Sequence, residues 1–177
     1  MLKIKRVARK LGSTDGAEIA EAAMVLPLVF TLLLGIVWFG RAFNIYSTIT
    51  QAAQQGAITA ARASCGTCGN DFPLNGPVQT AVEAVLKSSN LDPAQILANP
   101  NPAAPFFCTN PPNTCTSSGN IKICRNVLLN PSAGATQPPQ CGAIVSFQYP
   151  FQFHLPFTSL DQQQVILSAQ AQSRMEN

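Results

Sequence analysis

Hydrophobic and polar positions fall along this chain in three patterns. From Ala22 to Gly40, nineteen residues carry no charge and most are large and apolar. As a helix that run covers about 28 Å, close to the hydrocarbon thickness of a bilayer. A backbone in lipid must satisfy its own hydrogen bonds, so the run is predicted to be helical. Pro27 removes one of those bonds, to the carbonyl of Ala23. Trp38 and Phe39 stand at the far end, where interfacial aromatics are favoured, and Arg41 ends the run. Beyond it, Ala42, Tyr46, Ile49, Ala53, Gly56 and Ala60 recur at steps of four and three, one stripe on a helix that continues to about residue 64. The stripe is small-sided and admits close approach by another element, either from the rest of this chain or from another subunit. A continuous helix over 17–64 would be roughly 70 Å long.

The second pattern is shorter. Val78, Ala81, Val82, Val85 and Leu86 fit one face of a helix that starts near Pro77, with Asn75 or Gly76 able to cap it. Asp92-Pro93-Ala94-Gln95 suits one further turn. The third pattern is strict alternation. Ala143, Val145, Phe147, Tyr149, Phe151 and Phe153 give the clearest strand. Ile121, Ile123, Val127 and Leu129 give another, and Val165, Leu167, Ala169 and Ala171 a third. Residues 99–119 hold five Pro, four Asn and two Cys, and residues 130–142 form a similar stretch, so both are predicted to be loops. The expectation is an α+β chain: a long N-terminal helix, then a small head with a second helix and an antiparallel sheet of about three strands. Three regions follow: a basic leader over 1–16, the long helix over 17–64 with its transmembrane part at 22–40, and the head over 65–177.

Composition sharpens this picture. Of 177 residues only 11% are charged, against roughly 25% in an ordinary soluble protein. Five of the eleven basic residues, Lys3, Lys5, Arg6, Arg9 and Lys10, lie in the first ten positions. That asymmetry predicts a cytoplasmic N-terminus and an extracytoplasmic head. It is a topology signal, and the dense basic face of a nucleic-acid binder is missing. A cleaved secretory signal is the rival reading, but its apolar region usually spans 7–15 residues. Glu21 sits at the start of the apolar run, one turn after Glu18. Either it reaches back to water at the interface, where a helix N-terminus favours negative charge, or it has a cationic partner in an assembly.

The basic leader, Gly16-Ala17, the glutamate five residues after the glycine and an apolar helix with an early proline resemble a class III prepilin signal. The stretch from Gly16 to Phe30, the segment Gly35-Ile-Val-Trp-Phe-Gly40-Arg41-Ala-Phe43 and the small-residue run Gln51 to Arg62 resemble the start of TadE-like pseudopilins, minor pilin-like proteins of tight-adherence (Tad) type IV pilus and secretion systems. The resemblance covers about residues 12–64. It implies cleavage between Gly16 and Ala17 by a membrane aspartic prepilin peptidase. Glu21 would become the fifth mature residue and pair with the new amine of Ala17. Ala22 departs from the pattern, since tight-adherence pilins usually carry Tyr or Phe there. Removing residues 1–16 takes five of the eleven basic residues and one of the eight acidic ones, leaving six positive and seven negative side chains.

Six cysteines, Cys65, Cys68, Cys108, Cys115, Cys124 and Cys141, all lie in the head. An even count in an oxidising compartment predicts up to three disulfides, with 15 connectivities open and at least one bond within 99–145. Cys65-Gly-Thr-Cys68 follows a helix and lacks the helix-N-terminal, βαβ context of a redox pair. Zinc would need more ligands than this one CxxC and the single His154 supply. No nucleophile elbow, phosphate loop or paired acids are present, so neither a catalytic residue nor a cofactor is expected.

The reading is a non-enzymatic, membrane-anchored pseudopilin of the bacterial inner membrane. The resemblance implies as partners the prepilin peptidase, other pilins and pseudopilins and the Tad inner-membrane platform; no nucleic acid or small-molecule substrate is expected. Two rivals remain: an uncleaved signal-anchor protein with a disulfide-stapled binding head, and an extracytoplasmic thiol oxidoreductase using Cys65 and Cys68.

Overall fold

The apolar run does form a helix, and the helix extends well past it in both directions. In the computed structural model, which describes residues 14–62, 74–99, 106–108, 115–131, 138–152 and 164–175, helix α1 spans Thr14–Ala61. The chain divides into two units, Met1–Ala42 and Phe43–Asn177, and α1 passes from the first into the second.

In the first unit α1 is apolar on every side. Met24, Leu28, Phe30, Leu32, Leu33, Ile36, Val37 and Phe39 are all exposed. Burying each of these side chains is worth about 1.5–3 kcal/mol, so a surface of this kind calls for an apolar surrounding. The mean hydropathy of the most apolar stretch is 2.4, and none of it is buried within the protein. The helix is long and apolar enough to cross a membrane. Two of its polar side chains are handled locally. The Thr31 hydroxyl donates to the Leu28 carbonyl at 2.9 Å, and the Arg41 guanidinium lies 5.8 Å from the centre of the Trp38 ring.

In the second unit the same helix buries one face. Ile49, Ala52, Ala53, Ala57 and Ala60 are fully buried, with Gly56 among them. The expected stripe is thus real from Ile49 onward and packs within this chain, but its membership is corrected. Tyr46 is half exposed, and Ala52 and Ala57 join instead. The buried set needs both the i+3 and i+4 neighbours of each position, because a helix packing on a sheet presents a band wider than a single row.

Helix α2 spans Asn75–Ser88 and buries Val78, Val82 and Leu86 against the same core. Asn75 does not cap it: Leu74 precedes the helix, and no side chain bonds its first N–H groups. The C-terminus is closed with more care. Asn90 takes φ +57°, its N–H reaches the Lys87 carbonyl, and the Leu91 N–H reaches Leu86. This is a Schellman closure with asparagine in the left-handed position. A single 3₁₀ turn, Pro93–Gln95, follows, and Asp92 caps it by accepting from the Ala94 N–H at 2.9 Å.

The sheet has four antiparallel strands in sequence order, one more than expected: β1 Cys115–Ser118, β2 Ile121–Leu128, β3 Cys141–Gln152 and β4 Gln164–Arg174. The added strand lies at the end of the segment that its prolines and asparagines marked as loop. Cys-Thr-Ser-Ser has no apolar alternation to reveal it. It forms because Gly119, at φ +57°, turns the chain straight back onto β2, where Ser118 pairs Ile121. One face of the sheet supplies Ile121, Ile123, Ala143, Val145, Phe147, Tyr149 and Ala169 to the core shared with α1 and α2. On the other face Cys124, Val127 and Ile144 gather a small second cluster with Phe107.

Candidate functional site

Two places in the chain could carry function: the N-terminal turns of α1 and the polar surface of the head. In the first, Gly16 and Ala17 lie within α1, and Glu21 stands one turn after Ala17. Glu18 and Glu21 are exposed on the helix. A Cβ placed on Gly16 meets nothing within 4 Å, and the same holds at Gly35 and Gly40. The fold of this chain therefore does not ask for glycine at those three positions.

Gly56 is different. A Cβ there would lie 2.7 Å from Val82 Cγ2 and 3.3 Å from Val145 Cγ1. Glycine at this point lets α1 reach both α2 and β3. Gly142 on β3 is equally constrained, since a side chain would run into the Ser173 carbonyl and the Leu129 side chain.

All four cysteines among the described residues are paired. Cys115–Cys124 joins β1 to β2 across nine residues, and Cys108–Cys141 joins a short strap to the start of β3 across 33. Both bonds fall within 99–145. The strap, residues 106–108, adds to the edge of β2 beyond β1: Cys108 N–H donates to the Asn126 carbonyl at 2.9 Å and Leu128 N–H to Phe106 at 2.7 Å. Cys65, Cys68 and His154 lie outside the described residues.

Sequence reasoning passed over one polar node. β2 carries an extra residue between Cys124 and Val127, with Asn126 at φ +57°. Beside this bulge Arg125 is buried, and burial lowers its pKa. Its Nη1 donates to Asn75 Oδ1 at 2.8 Å, while Asn75 Nδ2 donates to the Thr116 hydroxyl at 3.0 Å. Asn75, expected as a helix cap, instead ties α2 to β1 and β2. Arg125 stands where the alternation of Ile121, Ile123 and Val127 calls for an apolar residue, and that was the signal that could have found it.

A shallow cleft of about 470 Å³ lies between α2, the 3₁₀ turn and the β1–β2 turn. Its carboxylates are already engaged. Glu83 accepts from Gln79 at 2.7 Å and from Lys87 at 3.5 Å, and Asp92 holds its cap. Among the described residues no group of three His, Cys, Asp or Glu side chains is placed to hold a metal ion. Behind the cleft, the Tyr149 hydroxyl donates to the Asp92 carbonyl at 3.3 Å, and burial raises the tyrosine pKa.

The comparisons with known proteins bear on the first of the two places. The family model described as TadE-like protein matches residues 16–57. The match begins at Gly16, takes in Ala17, Glu21 and the whole apolar stretch, and ends one residue after Gly56. No curated protein and no solved structure matches the chain.

Proposed function

We propose that this chain, with its TadE-like segment over residues 16–57, is a membrane-anchored minor pilin-like subunit that acts in assembly of a tight-adherence type IV pilus or secretion machinery. The observation that carries the reading is coincidence of position. The matched family segment and the helix apolar on every side begin together, and the glycine, the alanine and the glutamate lead into that helix. The basic residues of the leader hold the N-terminus in the cytoplasm, and the head, with two disulfides among its described residues, lies outside. A membrane prepilin peptidase cuts between Gly16 and Ala17. That bond lies in the first turn of α1, whose N–H groups have no partner within the helix, so opening it for the peptidase costs little. The new amine at Ala17 then stands four residues from Glu21. The two pair within one turn or between neighbouring subunits, and the pair offsets part of the cost of placing each charge in an apolar setting. The partners are other pilins and pseudopilins and the inner-membrane platform of the system.

Intact mass of the protein from cells with an active prepilin peptidase tests this directly. The expected species lacks residues 1–16. A mature protein that keeps them makes the chain an uncleaved signal anchor. Gly16→Val should leave the leader attached while the head stays folded, since no part of the fold rests on that glycine. Glu21→Ala should permit cleavage and reduce co-purification of partner pilins. A reporter fused after Arg62 should be active only as an extracytoplasmic enzyme; activity of a cytoplasmic reporter there overturns the orientation.

A further inference from the structure

Two aromatic side chains of α1 stand outside the core of the head. The turns from Phe43 to Thr50 have two faces. On one, Ile45 packs against the core, and Thr48 and Ile49 are buried. On the other, Phe43 is 72% exposed and Tyr46 48% exposed. They lie three residues apart, on one side of the helix. The hydroxyls of these turns bond back to the helix itself. Thr48 donates to the Asn44 carbonyl at 3.0 Å, and Thr50 to the Tyr46 carbonyl at 2.8 Å.

Their place along α1 points to what covers them. The uncharged apolar run ends at Gly40, and Tyr46 follows six residues later on the same helix, about 9 Å along it. The headgroup layer on each side of a hydrocarbon core is about 5–7 Å deep. Side chains on a helix lean toward its N-terminus and lie over the preceding turn, so both rings reach back toward the apolar run. Phe43 and Tyr46 therefore stand within reach of that layer.

The exposed side chains also change character in order along the helix. From Leu32 to Phe39 they are all apolar. From Arg41 to Tyr46 aromatic and polar residues mix: Arg41, Phe43, Asn44 and Tyr46. Between Tyr46 and Gln55 they are amides only, Gln51, Gln54 and Gln55. A bilayer imposes such a sequence of zones, because polarity there changes with depth, and its interface favours aromatic rings with a polar tip. A protein partner imposes no such order. Arg41 is the one charge between Glu21 and Arg62, and its sign complements lipid phosphate. We propose that the turns from Arg41 to Tyr46 lie in the phospholipid headgroup layer, with the rings of Phe43 and Tyr46 inserted among the lipids. The proposal rests on the membrane-anchored reading of α1 and moves the outer limit of its lipid contact from Arg41 to Tyr46.

Tryptophan fluorescence of the full chain in phosphatidylcholine liposomes provides the test, because Trp38 is the chain's one tryptophan. In the unchanged chain Trp38 reads the anchor alone. If a nitroxide carried on the lipid headgroup leaves Trp38 unquenched, the membrane reading falls and the proposal falls with it. In a Trp38→Phe background, Phe43→Trp and Tyr46→Trp replace exposed aromatic rings by another and spare the core. Each should be quenched by the lipid nitroxide at least as strongly as Trp38 and should resist iodide in the surrounding water. Gln54→Trp, two turns further on, should show the reverse. If Trp38 is quenched but position 43 or 46 behaves like position 54, α1 leaves the lipid at Arg41 and this proposal alone is overturned. Tryptophans at 43 and 46 that are shielded from both quenchers are covered by protein, which overturns it equally.

Discussion

The two halves of helix α1 are made of similar hydrophobic stock and do opposite things. Up to Ala42 the residues are large and surround the axis, and the protein covers almost none of them. From Ala52 to Ala61 the buried residues are small and share one face, and the protein covers that face almost completely. Hydrophobicity alone does not separate these halves; side-chain size and angular spread do. Large residues all round match a fluid apolar surrounding that conforms to any shape. Alanine and glycine on one face match a fixed partner that must come close, in this case Val82 of α2 and Val145 of β3.

Three experiments break or sharpen this contrast. The largest effect belongs to the crosslinks of the head. Replacing Cys108 and Cys141 together by serine should lower head stability by about 3.7 kcal/mol, and replacing Cys115 and Cys124 by about 2.6 kcal/mol, from the loop lengths on a chain-entropy estimate. Denaturant melting of the head reads this, while membrane fractionation should not change. An equal loss from both pairs would argue against the loop-length origin of the difference. Next comes glycine against glycine. Gly56→Val should destabilise the head by about 1–3 kcal/mol by overpacking, whereas Gly40→Val should leave head melting unchanged. If both variants melt alike, the two faces of α1 do not differ as described.

The smallest effect is at Tyr149. Its pKa is raised in the fold, chiefly by burial, so the neutral phenol is the form the native state favours. The stabilising contribution is therefore present below the ordinary tyrosine pKa near 10 and is lost as pH rises through the higher folded value. Tyr149→Phe should cost about 0.5–1.5 kcal/mol at neutral pH through the lost bond to Asp92. It should also flatten the alkaline limb of the stability profile, and an unchanged limb would assign that limb to other groups.

The helices, β3 and β4 were legible because burial there follows a period. The apolar run, the Val78–Leu86 face and the Val145–Tyr149 alternation all write their partners into the spacing. What was not legible depended on residues far apart in the chain. β1 has no pattern of its own and exists through the Gly119 turn and the bond to Cys124. Asn75 reads locally as a cap, yet Arg125 and Thr116 claim it, and neither is near it in sequence. Gly16, Ala17 and Glu21 were legible only through their family resemblance, and Gly16 and Glu21 stand exposed on the helix.

The membership of the core has a consequence for the order of folding. Ile49 and Ala169 belong to one cluster, so a core begun near the start of the chain closes only when the last strand has been made. Long-range closure of this kind is slow and leaves earlier segments waiting without their partner. Beyond Ile49 the waiting face of α1 is alanine and glycine. Each carries little apolar area, and at about 0.8 kcal/mol per methylene a leucine face of the same length would be far more adhesive. The small residues that permit tight packing in the finished head thus also keep the unfinished chain from sticking to its neighbours during synthesis.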